Sequence, residues 1–191
     1  MSIRGVGLDS ARSQATQYGP GDVIYAVVEK LGGSIDGLKK LMKVLFLVQY
    51  DIRRGVLSKK AIKYLYGGNP ITRVEFFLWN FGPMSNEVYD AIDELEDNNV
   101  ISTEALDNLY TTVRISIARK TQVSLPKPVL SRIDEVVRKY GNYRGWELER
   151  LVKRLLGLDI EEKRNEYLGY YVDDYLREEG FNVVERDLAH G

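Results

Sequence analysis

The carboxylates of Asp90, Asp93, Glu94 and Asp97 recur at i, i+3, i+4 and i+7. In a helix that spacing gathers them on one face, where they could hold Mg²⁺ through oxygen ligands. Mg²⁺ sites usually draw their ligands from separate elements, so such a face reads better as a solvated or docking stripe. Glu161-Glu162-Lys163 matches the E-x-K half of a nuclease motif, but three residues recur by chance, and Glu is favoured at a helix start in any case. A Mg²⁺-dependent nuclease is therefore the remotest reading. Gly67-Gly68 lacks the Lys-Ser/Thr that follows the glycines of a phosphate loop. Cysteine is absent and the one histidine, His190, is next to last. Thiol nucleophiles, disulfides, Cys-based metal sites and a histidine base or triad all drop out. No catalytic residue, metal ligand or cofactor is assigned, and the chain reads as non-enzymatic.

The elements that position these residues follow from periodicity and punctuation. Residues 1–21 read as a flexible tail. Asp22 should cap a helix to about Leu31, which Gly32-Gly33 stop. Ser34 or Asp36 should start a second helix, with Leu38, Leu41, Leu45, Val48 and Ile52 as its apolar stripe. Ser58 should cap a short third one through Tyr66. Val74–Phe81 is aromatic and β-prone. Trp79 and Phe81 are expected to pack under a tight turn made by Gly82-Pro83, and Ser85 to cap the acidic helix that carries Tyr89. Val88, Ala91, Ile92 and Leu95 would be that helix's buried face. Val100-Ile101 and Thr111–Ala118 form a two-stranded wing. Beyond Pro126 and Pro128 the chain reads as helical, near 129–140, 146–156 and 160–179, with a short strand at 181–185. Tyr167, Tyr170, Tyr171 and Tyr175 join Leu168, Val172 and Leu176 in an apolar stripe. The expected fold class is α+β, mostly helical. A winged-helix-like domain over 22–122 would precede a helical C-terminal region over 126–191.

Charge is distributed unevenly. The net value is −1, yet residues 1–84 carry 12 basic and 6 acidic side chains, whereas 85–110 carry 8 acidic and no basic ones. A groove-reading helix needs cationic or amide donors, so this helix is unfit to lie against phosphates. Glu87, Asp90, Asp93, Glu94 and Asp97 are instead assigned to binding a basic protein surface, on a partner or on a second copy in a homodimer. DNA remains the alternative ligand through another face: Lys39, Lys40, Lys43, Lys59, Lys60, Lys63, Arg114, Arg119 and Lys120. No apolar run reaches the roughly 18 residues of a membrane span, and no signal peptide opens the chain, so the expected place is the cytoplasm. The 29% of charged residues and only four Gln would suit a thermophile.

Two blocks resemble the Panacea (SocA-like) domain and related prokaryotic winged-helix regulators. Leu41-Met42-Lys43-Val44-Leu45-Phe46-Leu47-Val48-Gln49-Tyr50 is similar to that family's K-L-x-K-L-L-Y-hydrophobic-x-Q helix. Trp79-Asn80-Phe81-Gly82-Pro83-Met84-Ser85, leading to Val88-Tyr89, is similar to its W-x-Y-G-P-V turn. The likeness runs from about Leu38 to Ile101. It implies regulation without catalysis, by an antitoxin or adaptor module that holds a protein partner. The C-terminal helical part departs from the short antitoxins.

Overall fold

The computed structural model describes residues 18–54, 60–64, 70–106 and 112–185. In chain order these form α1 (Pro20–Lys30), β1 (Ser34–Asp36), α2 (Leu38–Gln49), β2 (Asp51–Arg54) and β3 (Lys60–Tyr64). Next come β4 (Phe77–Trp79), β5 (Gly82–Met84), α3 (Asn86–Asp97), β6 (Ile101–Leu106) and β7 (Thr112–Ile117). Then follow α4 (Lys127–Tyr140), α5 (Gly145–Leu156), α6 (Glu161–Glu166), α7 (Val172–Glu178) and β8 (Asn182–Glu185). The chain is α+β, with helices predominating over small sheets. Among the described residues no helix is long and apolar enough to cross a membrane.

Helix α2 is the axis. Every residue from Leu41 to Gln49 is buried, because α1, α4, α5 and β5 surround it. One apolar cluster runs from Val23 in α1 through α2, α3, α4 and α5 to Phe181, so the core continues across Pro126. Buried Arg132 of α4 closes the lower end of α2. Its guanidinium donates to the carbonyls of Leu47, Val48 and Tyr50 and also pairs with Glu135. The last carbonyls of a helix have no partner within it, and a cation suits that end of the dipole.

Among the described residues three sheets flank this core. The first has strand order β1-β7-β6, antiparallel throughout. Arg114 of β7 lies between Asp36 of β1 and Glu104 of β6 in the register. It grips Asp36 with two bonds of 2.6 and 2.9 Å, and that hydrogen-bonded pairing holds the Asp36 carboxyl below its usual range. The second sheet has order β2-β3-β8, with β8 parallel to β3. The third is the β4-β5 hairpin.

Several expectations are corrected. Helix α1 starts at Pro20 with Gly19 as its cap, so Asp22 lies inside the first turn; Pro suits that first position, where its missing N–H is not needed. Tyr18 is already tied to the body through Ile71 O, and the rest of the expected tail lies outside the described residues. Ser34–Asp36 is strand rather than helix, because β7 offers it a ladder. The helix expected from Ser58 to Tyr66 is absent where the chain is described: Lys60–Tyr64 is β3, bonded on both edges. A nine-residue helix is marginal by itself, whereas a middle strand gains two ladders. The expected helix 160–179 is broken into α6 and α7 at Gly169, which has φ +85°.

Candidate functional site: the hairpin and the acidic helix

The residues of the two sequence blocks meet at one place. Of the four polar residues of α2, Lys43 and Gln49 are buried. Lys43 Nζ donates to Pro83 O at 2.8 Å. Gln49 Nε2 donates to Val74 O at 2.9 Å, while its Oε1 accepts from Thr72 Oγ1. These two side chains therefore staple both ends of the segment that carries β4 and β5. Each satisfies a carbonyl that would otherwise be buried unpaired, an omission worth about 1–3 kcal/mol. Burial pushes the Lys43 ammonium down to about 7, opposed by the Glu149 charge and helped by those of Lys39 and Lys153.

The hairpin itself differs from expectation. Trp79 pairs with Gly82, so the two-residue loop is Asn80-Phe81, and Gly82-Pro83 belong to β5. Gly82 has φ +85°, a conformation that a side chain would strain. Pro83 sits on the hairpin's outer strand, where its missing N–H breaks no ladder. Trp79 and Phe81 do not pack under the turn: they are 45% and 51% exposed. The reason is geometric. In a strand alternate residues face opposite ways, so buried Leu78 turns Phe77 and Trp79 outward. Trp79 faces only Gly82 in its register, and among the described residues its one ring contact is Phe77, edge-on at 6.3 Å. On the other edge of β4, Gly169 and Tyr170 bond to Leu78, and Tyr171 pairs with Phe77. Hence Tyr170 and Tyr171 are exposed, while Val172, Tyr175 and Leu176 enter the core. The expected single stripe is split between surface and interior.

Helix α3 forms as expected, with Val88, Ala91 and Ile92 buried and Leu95 and Tyr89 half-buried. Ser85 occupies the cap position but makes no side-chain cap bond. Its Oγ donates to Glu87 Oε2 at 3.2 Å, and the Glu75 N–H donates to the same oxygen at 2.7 Å. Glu87 thus fastens the helix start to the approach of β4. Glu96 does the same at the other end, accepting from Thr103 N and Oγ1. The remaining acids, Asp90, Asp93, Glu94 and Asp97, are exposed. Among the described residues none of the four has an ion-pair partner. Nor does any group of three or more His, Cys, Asp or Glu there come close enough to hold a metal ion.

The basic residues are scattered. Lys39 pairs with Glu149 at 2.8 Å, and Lys40 donates to Gly141 O at 2.6 Å. Lys43 is sealed beneath the hairpin, out of reach of a phosphate. Arg114 is held by Asp36, and Arg119 donates to Asn98 O at 3.2 Å. Lys120 is exposed. Lys60 and Lys63 stand on β3, in a different sheet from Arg114, and Lys59 lies outside the described residues. Lys163 of the E-x-K triplet pairs with Glu179 at 2.6 Å.

A family model described as antitoxin SocA-like, Panacea domain, matches residues 41–155. The chain belongs to the SocA-like Panacea family. No curated protein and no solved structure matches it. The Panacea match begins in α2 and ends in α5, so it takes in the hairpin, α3 and the two helices that follow β7. The part played by α5 is not foreseen from the sequence: Glu149 is where Lys39 of α2 and Lys153 of α5 converge. The signal was available in the i, i+4 spacing of Glu149 and Lys153.

Proposed function

We propose that this chain is a non-enzymatic regulatory protein of the cytoplasm, acting by holding another protein in an antitoxin-like role. Its docking stripe is α3, through Asp90, Asp93, Glu94 and Asp97, with Glu87 at the stripe's start. One observation carries the reading: along α3 these four carboxylates remain in solvent with no cation of the described chain to neutralise them. Such a stripe attracts a basic partner and rejects acidic ones. The family described as SocA-like antitoxins supports the role.

With β2 to β5 inserted between α2 and α3, the order α1, β1, α2, α3, β6, β7 and the sheet order β1-β7-β6 support a winged-helix-like layout. In that layout α3 is the element that would enter a DNA groove, and its charge opposes a polyanion. The DNA alternative would rest on basic residues of which Lys39, Lys40, Lys43, Arg114 and Arg119 already serve contacts within the chain.

The test is capture from the native host by the wild type and by the triple variant Asp90→Lys, Asp93→Lys, Asp97→Lys. A specific partner retained by the wild type and lost by the variant is the expected result. Equal capture by both overturns the docking stripe. A DNA mobility shift that is tight and weakens steeply with salt would favour the alternative, and sedimentation separates a partner from a second copy.

A further inference from the structure

A second surface on this molecule has the opposite character. Phe81, at the hairpin tip, and Trp146, at the start of α5, are each 51% exposed. Lys39 joins them. Its Nζ lies 4.3 Å from the Phe81 ring centre, and its stem runs past Gly145, the residue before Trp146. Arg150, one turn along α5, lies 5.9 Å from the Trp146 ring. Lys39 and Lys153 both bond to one carboxylate, Glu149, at 2.8 and 2.6 Å. Lys39 and Lys153 therefore share the Glu149 carboxylate, and Arg150 lies against the Trp146 ring, between two exposed aromatic side chains.

We propose that this face, built by Phe81 and Trp146 around Lys39, Arg150 and Lys153, docks a peptide segment of a partner protein that carries carboxylates between apolar side chains. Charge complementarity selects that occupant, because the patch is left with surplus positive charge beside rings that gain by losing water. Exposed Trp and Arg are the side chains that anchor binding surfaces most often, and rings in contact with cations bind better once desolvated. The surface is also preorganised. Lys43 and Gln49 pin the hairpin to α2, and α5 packs along α2, so little freedom is lost on docking. A nucleic-acid strand suits the site less well. Glu147 and Glu149 sit among the cations, and the acidic α3 begins only four residues beyond Gly82, so an extended polyanion meets repulsion. The inference is independent of α3 as the docking stripe, since it concerns another face and another partner chemistry.

The experiment selects from a displayed library of random dodecapeptides against the whole chain. Enriched sequences should combine Asp or Glu with apolar residues. The best of them, made synthetically, should bind at least about tenfold more weakly to Phe81→Ala/Trp146→Ala and to Arg150→Glu. It should bind unchanged to the triple Lys variant of α3, which separates this face from the one proposed above. All replaced side chains are exposed, and circular dichroism with thermal melting checks that each variant is folded. Enrichment of neutral or basic peptides, or equal binding by the folded variants, overturns the proposal. So does displacement of the peptide by oligothymidylate at lower concentration, which would make the face a nucleic-acid site. Self-association lost in the same variants would also overturn it, making a second copy the occupant.

Discussion

Lys43 concentrates the residue-scale physics of this domain. A lysine in the buried stretch of a helix is costly unless its ammonium is matched, and here it meets a carbonyl, at Pro83. Burial lowers its pKa from 10.5 to about 7. Unfolding returns it to the ordinary value, so between about 7 and 10.5 the unfolded chain binds a proton that the folded chain does not. Stability from this group must therefore rise with pH across that window and level off below and above it. The expected outcome is a urea midpoint that climbs more between pH 7 and pH 9.5 in the wild type than in Lys43→Met. Equal slopes in the two proteins would mean the amine is charged in place. The lysine's role was not legible beforehand. It lies off the Leu38–Leu41–Leu45–Val48 stripe and so reads as solvated, because a stripe does not disclose that β5 and α5 cover the opposite side. Trp79 and Phe81 misled in the reverse sense. Ring type suggests burial, but their neighbours in space, a glycine and a lysine, come from the fold.

At the scale of elements, periodicity served where an element's own face decides its state. Helix α3, α4 and α5 each carry an apolar stripe that packs on a core, and all three were legible to within a few residues. It failed where a distant partner decides: β1 needs β7, β3 needs β2 and β8, and none of these pairings leaves a local mark. The break between α6 and α7 is the plainest case. The pattern from Ile160 to Glu179 suits one helix, yet Gly169 and Tyr170 are drawn away by hydrogen bonds to Leu78 of β4. Gly169 has φ +85° and open space around its missing side chain, so Gly169→Ala tests backbone strain without a clash. The expected loss is about 1–2 kcal/mol, read from denaturant unfolding. A stabilised variant would imply that α6 and α7 merge when the glycine is removed.

For the whole molecule, the distribution of charge along the sequence becomes an arrangement in space. Excess acid is presented by α3, whereas at the second face Lys39, Arg150 and Lys153 outnumber the acids beside them, Glu147 and Glu149. The two faces differ in chemistry as well as sign, since only the second carries large rings. That separation was half legible: the acidic run is contiguous in sequence, but the basic face is assembled from α2, the hairpin and α5. Sheet β2-β3-β8 extends the same lesson to construction. Deleting residues from Asn182 onward should strip amide-exchange protection from β3, while the amides of α2 stay protected; retained protection in β3 would show that β2 alone holds it.

That parallel pairing also bears on synthesis. Residues 61–64 align with 182–185, so a ribosome must deliver about 120 further residues before the inner strand gains its second neighbour. Until then an unpaired edge is open to the cell, a hazard for any half-made chain, and a chaperone that shields β3 on nascent chains would find its natural moment there.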